Sequence, residues 1–305
     1  MTKRVVHGLP ISGTNPETGK PAIDSLAGGS FLATYFYTRP GQKKISDEHI
    51  DRAIELVGDD EVFFLDNGAF TAYRSGQPIH EDESYLDGFY DWAEGVMDRC
   101  PQAVAIIPDV IGGTTKDNEQ LAQMFPFDPL RSCYVWHLHE DLAVLKHIVE
   151  AGYAYIGFGS SEEYWKVGSA IWKDRIDAAF AYLDELFADE EFAAAYARPQ
   201  IHMLRGIAVQ HAYRFDSADS VNIAINWNRQ RKVSSEQLSA FRARVERKAS
   251  QGDVFGDQSA WGTPAAAGRY AGFRNSQLHL LAYQAEITNG SDDLLFIPPF
   301  LRRAA

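Results

Sequence analysis

Cysteine is nearly absent. Cys100 and Cys133 are the two in a chain of 305 residues, too few and too far apart for a disulfide framework or a cysteine-rich metal site. That excludes the small secreted scaffolds held by disulfides and fits a reducing setting. Long apolar runs are missing as well. None approaches the roughly 20 residues of a membrane-spanning helix, and the N-terminal MTKRVVHGLP lacks the apolar centre of a signal peptide. The expectation is a cytoplasmic protein with no membrane partner. Basic charge is also short, with 29 Lys and Arg against 42 Asp and Glu for a net charge of −13. Such a balance excludes a protein that coats nucleic acid by bulk electrostatics. Any nucleic-acid contact has to be local. Two stretches could supply it, Arg229, Arg231 and Lys232, then Arg242, Arg244, Arg247 and Lys248, although the second reads equally well as a solvated helix face.

What the chain does hold is core material, 45% hydrophobic and 12% aromatic residues with 23% charged, the composition of a globular protein with a sizeable interior. Short β-rich apolar runs alternate with longer segments of helical period, the signature of a parallel sheet with crossover helices. Strands are predicted at 31–37, 62–65, 103–107, 133–138, 153–157 and 201–204, with a short one leading into 216–220. Ser46 is placed to cap a helix carrying Ile50, Ala53, Ile54 and Val57, and a second helix puts Leu86, Phe89, Tyr90, Ala93, Val96 and Met97 on one face. Further helices are expected at 115–124, 141–151 and 171–188, with Gly152 terminating the one that starts at Asp141. No Gly-rich phosphate fingerprint follows the first strand, and GTPAAAGR at 262–269 lacks the Lys-Ser/Thr of a phosphate-binding loop. An α/β fold of the (β/α)8 barrel type is therefore favoured over an open doubly wound sheet. It is expected as one domain over 1–305, with a barrel core at about 28–226 and a helical or loop extension at about 227–305.

In a parallel barrel the chemistry gathers where strands end, so polar residues directly after an apolar run attract notice. The apolar run in EVFFLDNGAF ends on Asp66, and the one in AVAIIPDVIGG ends on Asp109. CYVWHLHE sets His137 and His139 on one strand face, and FDSADS carries Asp216 and Asp219. A lone Asp after a strand is usually a helix cap or turn former. Several carboxylates at equivalent ends are another matter, because clustered at one mouth they are costly unless they share protons, bind a cation or react. The His pair has a metal reading too, together with Asp66 or Asp219. The alternative is one packed histidine and one lining a polar pocket.

In order along the chain, DNGAF at 66–70, IPDV at 107–110, VWHLHEDL at 135–142, AGYAYIGFGSSEEYW at 151–165, HMLRG at 202–206 and FDSADSV at 215–221 resemble the motifs of the tRNA-guanine transglycosylase superfamily. The resemblance is closest to its DpdA-like branch, the DNA 7-deazaguanine transglycosylases of phages and bacteria. It implies that Asp66 is the acid/base and Phe70 a stacking residue, with Asn67 and Gly68 beside them, and that Asp109 reads the Watson–Crick edge of guanine. His137 or His139 stands where the family carries a base-contacting Gln. The backbone around Gly157, Phe158 and Gly159 would face the 7-substituent. Phe70, Trp136 and Phe158 are candidate stacking surfaces, each equally suited to the core. The nucleophile falls on Asp219, preferred over its upstream companion Asp216. The implied partners are DNA with a flipped-out guanine and a free 7-deazaguanine base, without any cofactor. A second copy or an accessory protein stays open as a further partner.

Two departures bear on that resemblance. The family's C-terminal zinc site of three cysteines and a histidine has no counterpart, because no cysteine lies beyond Cys133, so no zinc is expected. NIAIN at 222–226 replaces the Pro-Thr-Arg that follows the nucleophile in the tRNA enzymes, which turns the expected substrate from tRNA towards DNA. The rival readings are a tRNA-guanine transglycosylase, a barrel hydrolase using the same carboxylates, and a non-catalytic nucleic-acid-binding subunit.

Overall fold

The computed structural model describes residues 3–15, 18–42 and 44–220, together with Ala243. Within them lie eight strands: β1 (Arg4–Gly8), β2 (Ser30–Thr34), β3 (Phe63–Asp66), β4 (Ala103–Ile106), β5 (Ser132–His137), β6 (Tyr155–Gly159), β7 (Gln200–Met203) and β8 (Ser217–Ser220). Each pairs in parallel with its neighbours in chain order, and β8 returns to β1 with Asp219 opposite Val6, closing the ring. This is the (β/α)8 barrel that the alternation of strand and helix patterns predicts. The expected C-terminal extension, both basic stretches, the 222–226 segment and the 262–269 loop lie outside the described residues.

The outer layer comprises α1 (Asp47–Leu56), α2 (Ala69–Arg74), α3 (Glu83–Met97), α4 (Thr115–Gln123), α5 (Ala143–Glu150), α6 (Ala170–Ala188) and α7 (Glu190–Ala195). Ser46 caps α1 in partnership with His49, whose Nδ1 accepts the Ser46 N–H at 3.1 Å. Past α5 the chain reverses at Gly152, with φ of +81°, the left-handed conformation expected of a helix-terminating glycine. Two connections break the repeat. Between β1 and β2, and again between β7 and β8, the helical content is a single 3-10 turn, Ala22–Leu26 and Gln210–Ala212. No helix among the described residues is long and apolar enough to cross a membrane.

The barrel starts earlier than residue 28, because RVVHG at 4–8 forms β1, a strand too polar to register as an apolar run. The strand expected over 31–37 stops at Thr34, where Tyr35–Tyr37 turn away as a 3-10 segment.

Strand periodicity then sorts every side chain. Phe31, Ala33, Phe63, Leu65, Ala103 and Ala105 point outward, packing with Ile50 and Ala53 of α1 and Phe89, Ala93 and Val96 of α3. Trp136, Phe158, Met203 and Ala218 do the same on the other side, against Leu145 of α5 and Ile176 and Phe180 of α6. The alternate positions fill the barrel: Val6, Phe64, Val104, Ile106, Cys133, Val135 and Tyr155 make one buried apolar plug. Stepping two residues on from Phe64 gives Asp66, and from Val135 gives His137. The same inward register thus changes from apolar to polar at the C-terminal mouth.

Candidate active site

Asp66 is the last residue of β3, and the turn that follows is tightly built. Gly68 sits at φ of +83°, and a Cβ there would fall 2.6 Å from the Phe36 Cβ, so both the backbone angle and the space demand glycine. Asn67 is buried, with both ends of its amide committed. Its Nδ2 donates to the carbonyls of Ile106 and Ile107 at 3.2 and 3.1 Å, and its Oδ1 accepts the Ala69 N–H at 2.7 Å. This corrects the expectation that Asn67 meets the substrate. It braces β3 against β4 and starts α2, which presents the half-buried Phe70 at the mouth.

The surroundings of Asp66 raise its carboxyl pKa to about 6. Burial is the main cause, the nearby Thr34 hydroxyl and the Gly68 N–H pull it part of the way back, and the charges of Asp109 and Asp219 push it up further. Three carboxylates from the ends of β3, β4 and β8 therefore share one electrostatic neighbourhood. Asp109 is 9% exposed and Asp219 is 8% exposed, each open to the mouth by a narrow margin.

Asp109 does not stand alone. Its Oδ2 lies 2.9 Å from His137 Nε2, and the other side of that ring is held by residues the sequence reading did not single out. Asn118 of α4 places its Nδ2 3.2 Å from His137 Nδ1 and 3.2 Å from Glu140 Oε1, while Glu140 Oε2 accepts the His137 backbone N–H at 2.8 Å. Burial opposes a charge on His137, but the hydrogen bond and charge of Asp109, with Glu140 behind, outweigh it and hold the imidazole pKa above its ordinary value. Asp109 is thus fixed by a buried polar chain that leaves little freedom to its carboxylate.

His139 ties two loops. Its Nε2 donates to the Gly113 carbonyl at 3.2 Å, and its Nδ1 meets the Ser161 hydroxyl at 2.8 Å. Its ring stacks on His137 at 5.6 Å. The metal reading of this pair therefore needs correction. All four ring nitrogens are engaged, and among the described residues no group of three or more His, Cys, Asp or Glu is disposed to hold an ion.

On β8, Ser217 and Asp219 point inward, and Asp219 Oδ1 accepts the backbone N–H of Arg205. Arg205 follows β7 with φ of +58°, a left-handed conformation that a non-glycine residue adopts at a cost and that concentrates at functional sites. Its guanidinium lies 3.8 Å from the centre of the Phe70 ring. One residue thus links the acceptor carboxylate of β8 to the aromatic face of α2.

Three expected residues belong elsewhere. Trp136 and Phe158 are fully buried in the layer between barrel and helices, with ring centroids 5.0 Å apart, because their register points them outward. Neither offers a stacking face at the mouth. Asp216 precedes β8 at the opposite, N-terminal end of the barrel. There its carboxylate accepts the Ile201 N–H at 2.7 Å and its carbonyl accepts the Arg4 N–H at 2.9 Å, a clamp on the starts of β1, β7 and β8. Removing it by Asp216→Ala should lower unfolding stability by about 1.5–3 kcal/mol, the worth of a hydrogen bond to a charged acceptor. Any activity per folded molecule should stay unchanged, and urea titration beside the exchange assay below checks both.

Gly157 and Gly159 do face inward from β6. A Cβ on Gly159 would lie 3.1 Å from His137 Cδ2, and one on Gly157 3.2 Å from Cys133 Sγ, so the first missing side chain leaves room for the histidine and the second for the cysteine below it. Thr34, Asn118, Glu140, Ser161 and Arg205 are the mouth residues that sequence reasoning missed. Arg205 obeys the rule that singled out Asp66, a polar residue straight after an apolar strand, and was legible by it.

No family model and no curated protein matches the chain. Among solved structures, it is similar to two of tryptophan synthase from Mycobacterium tuberculosis, one an open form with BRD0059 bound and the other in space group F222. Both are 13% identical with a TM-score of 0.44, over 83% and 82% of this chain and 94% of each of theirs. A likeness that weak carries no argument about chemistry, and the barrel assignment rests on the closed ring of strand pairs.

Proposed function

We propose that this barrel is a base-exchanging transglycosylase, an enzyme that replaces guanine in DNA with a free 7-deazaguanine through a covalent aspartyl-sugar intermediate. The observation that carries the reading is the meeting of Asp66 and Asp219 at one mouth, each within the other's electrostatic reach although 153 positions separate their numbers. The motif resemblance supplies the reaction, and the chemistry of the two side chains fits it.

Exchange begins with the Asp219 carboxylate attacking C1′ of the target nucleotide as the bond from C1′ to N9 breaks. The electron pair leaves with the guanine, which takes a proton from the Asp66 carboxylic acid. The incoming base then gives its N9 proton to the Asp66 carboxylate and attacks C1′, and the bond to Asp219 breaks to return the carboxylate. Asp66 must donate and accept in alternate steps, and a pKa of about 6 lets both forms be populated near neutrality. Asp109, fixed by His137, is an acceptor suited to the N1–H and amino group of a guanine edge. Phe70 offers the stacking face, and the target base reaches the mouth only from a single strand or after flipping out of the duplex.

The test supplies the protein separately with duplex DNA, single-stranded DNA and tRNA, each with 7-cyano-7-deazaguanine, and digests the polymer for nucleoside mass spectrometry. Modified deoxyguanosine is expected in a DNA arm. Product in the tRNA arm alone would transfer the reading to that polymer, and guanine release without incorporation would make the protein a hydrolase. No product and no released base in any arm would overturn the proposal.

A further inference from the structure

His202 is the inward residue of β7, fully buried inside the barrel below the mouth, and the mechanism above makes no use of it. Its ring packs on Phe64 with centroids 4.4 Å apart. Its Nδ1 lies 2.8 Å from the Ser217 hydroxyl, and its Nε2, which has no hydrogen-bond partner, lies 3.5 Å from Asp219 Oδ1. The placement follows from register. His202 pairs with Ser217 across β7 and β8, and Asp219 is two residues further along the same face, so one imidazole spans both. A buried polar ring is costly in an apolar plug unless its nitrogens have a task.

The tautomer can be deduced. A nitrogen lone pair turned towards a carboxylate oxygen would be repelled, whereas an N–H turned towards it is attracted, so the proton belongs on Nε2. Nδ1 is then an acceptor, and the Ser217 O–H donates to it. We propose that Ser217 and His202 form a buried relay that positions Asp219 as the nucleophile, the imidazole N–H and the Arg205 backbone N–H both directed at Oδ1 so that Oδ2 is left to form the bond to C1′. This rests on the transglycosylase reading of Asp219. The order serine, histidine, aspartate is that of a hydrolase triad run backwards. Ser217 is completely buried and cannot meet a substrate, so the serine is the orienting end and the aspartate the reacting end. When the sugar leaves Asp219 in the second step, charge returns to the carboxylate, and the same two donors stabilise it.

His202 is thus a positioning residue, and its replacement should move kcat and spare KM. His202→Phe keeps the ring against Phe64 and removes both nitrogens. It should lower kcat about 10- to 100-fold, the usual range for a residue supporting a reacting group, with the KM for the free base and the thermal midpoint near wild type. His202→Gln restores a donor near the Nε2 position and should recover much of the loss. Ser217→Ala should give a smaller drop by leaving Nδ1 without its donor. Should His202→Phe not fold, the last two variants carry the comparison. Long-range 1H–15N spectra of 15N-histidine-labelled protein read the tautomer without any activity, and His202 should show its proton on Nε2, in Ser217→Ala as in wild type. A proton on Nδ1, or wild-type kcat in His202→Phe, overturns the relay. If the wild type exchanges no base while His202 keeps its proton on Nε2, the relay geometry stands and the transglycosylase reading is the part that falls.

Discussion

Asp219→Ala should abolish exchange, with a loss on the order of ten-thousand-fold or more, because among the described residues the other two carboxylates at the mouth are committed elsewhere. Asp109 is held at 2.9 Å by His137, and Asp66 has the proton to manage, so neither is free to take over C1′. The variant should still fold. Asp219 is buried with its carboxylate accepting the Arg205 N–H, and losing that bond loosens the Arg205 turn without exposing the apolar plug below. The decisive measurement is mass spectrometry of protein incubated with DNA in the absence of incoming base. Wild type should accumulate a sugar-linked adduct on a peptide containing Ser217–Ser220, Asp219→Ala should carry none, and Asp216→Ala should carry as much as wild type. An adduct that persists in Asp219→Ala would remove the proposed nucleophile.

That contrast between Asp216 and Asp219 also marks how far the sequence could be read. FDSADS holds two aspartates three residues apart, and nothing in local pattern says which one faces a substrate. The answer depends on where β8 begins, and β8 is four residues long with little apolar signal of its own. Register decides it, by placing Asp216 before the strand at one end and Asp219 inside it near the other. The barrel itself was legible because its outward positions are strongly apolar and its helices periodic. β1 escaped notice because its inward positions are Arg4, Val6 and Gly8, of which only Val6 carries an apolar side chain. Trp136 and Phe158 stayed open between two readings for the converse reason: an aromatic next to a catalytic motif is equally suited to packing, and only parity with Leu138 and Ile156 assigns them to the helix layer. Asn118 was invisible, since it comes from α4 while its partner His137 ends β5 and the pairing exists only once helix and barrel pack; Glu140, three residues after His137, carries no local pattern that says its carboxylate turns back onto the strand end.

Asp66→Asn should separate stability from activity. In the folded chain the Asp66 carboxyl titrates at about 6 against an ordinary 3.8, so the fold favours the protonated form. Below about pH 4 both states are protonated and the residue is neutral in its effect. From there to about pH 6 the unfolded chain ionises while the folded one does not, and stability falls as pH rises. Above that range a constant deficit remains, on the order of 2 kcal/mol once part exposure trims the roughly 3 that the full shift implies. Asparagine keeps an oxygen to accept from Thr34 and the Gly68 N–H and carries no charge. Asp66→Asn should therefore be more stable than wild type at pH 8 by that order and converge with it below pH 4, as urea titrations at the two pH values would show. Its exchange activity should fall about a hundred- to ten-thousand-fold, because it can neither protonate the departing guanine nor take the proton of the incoming base. Adduct formation by wild type, measured without incoming base, should decline above about pH 6 as the acid form is depleted, and that limb should be missing from the residual rate of Asp66→Asn. A variant less stable at pH 8 with wild-type turnover would mean that Asp66 is a structural hydrogen-bond acceptor and that the proton is managed elsewhere.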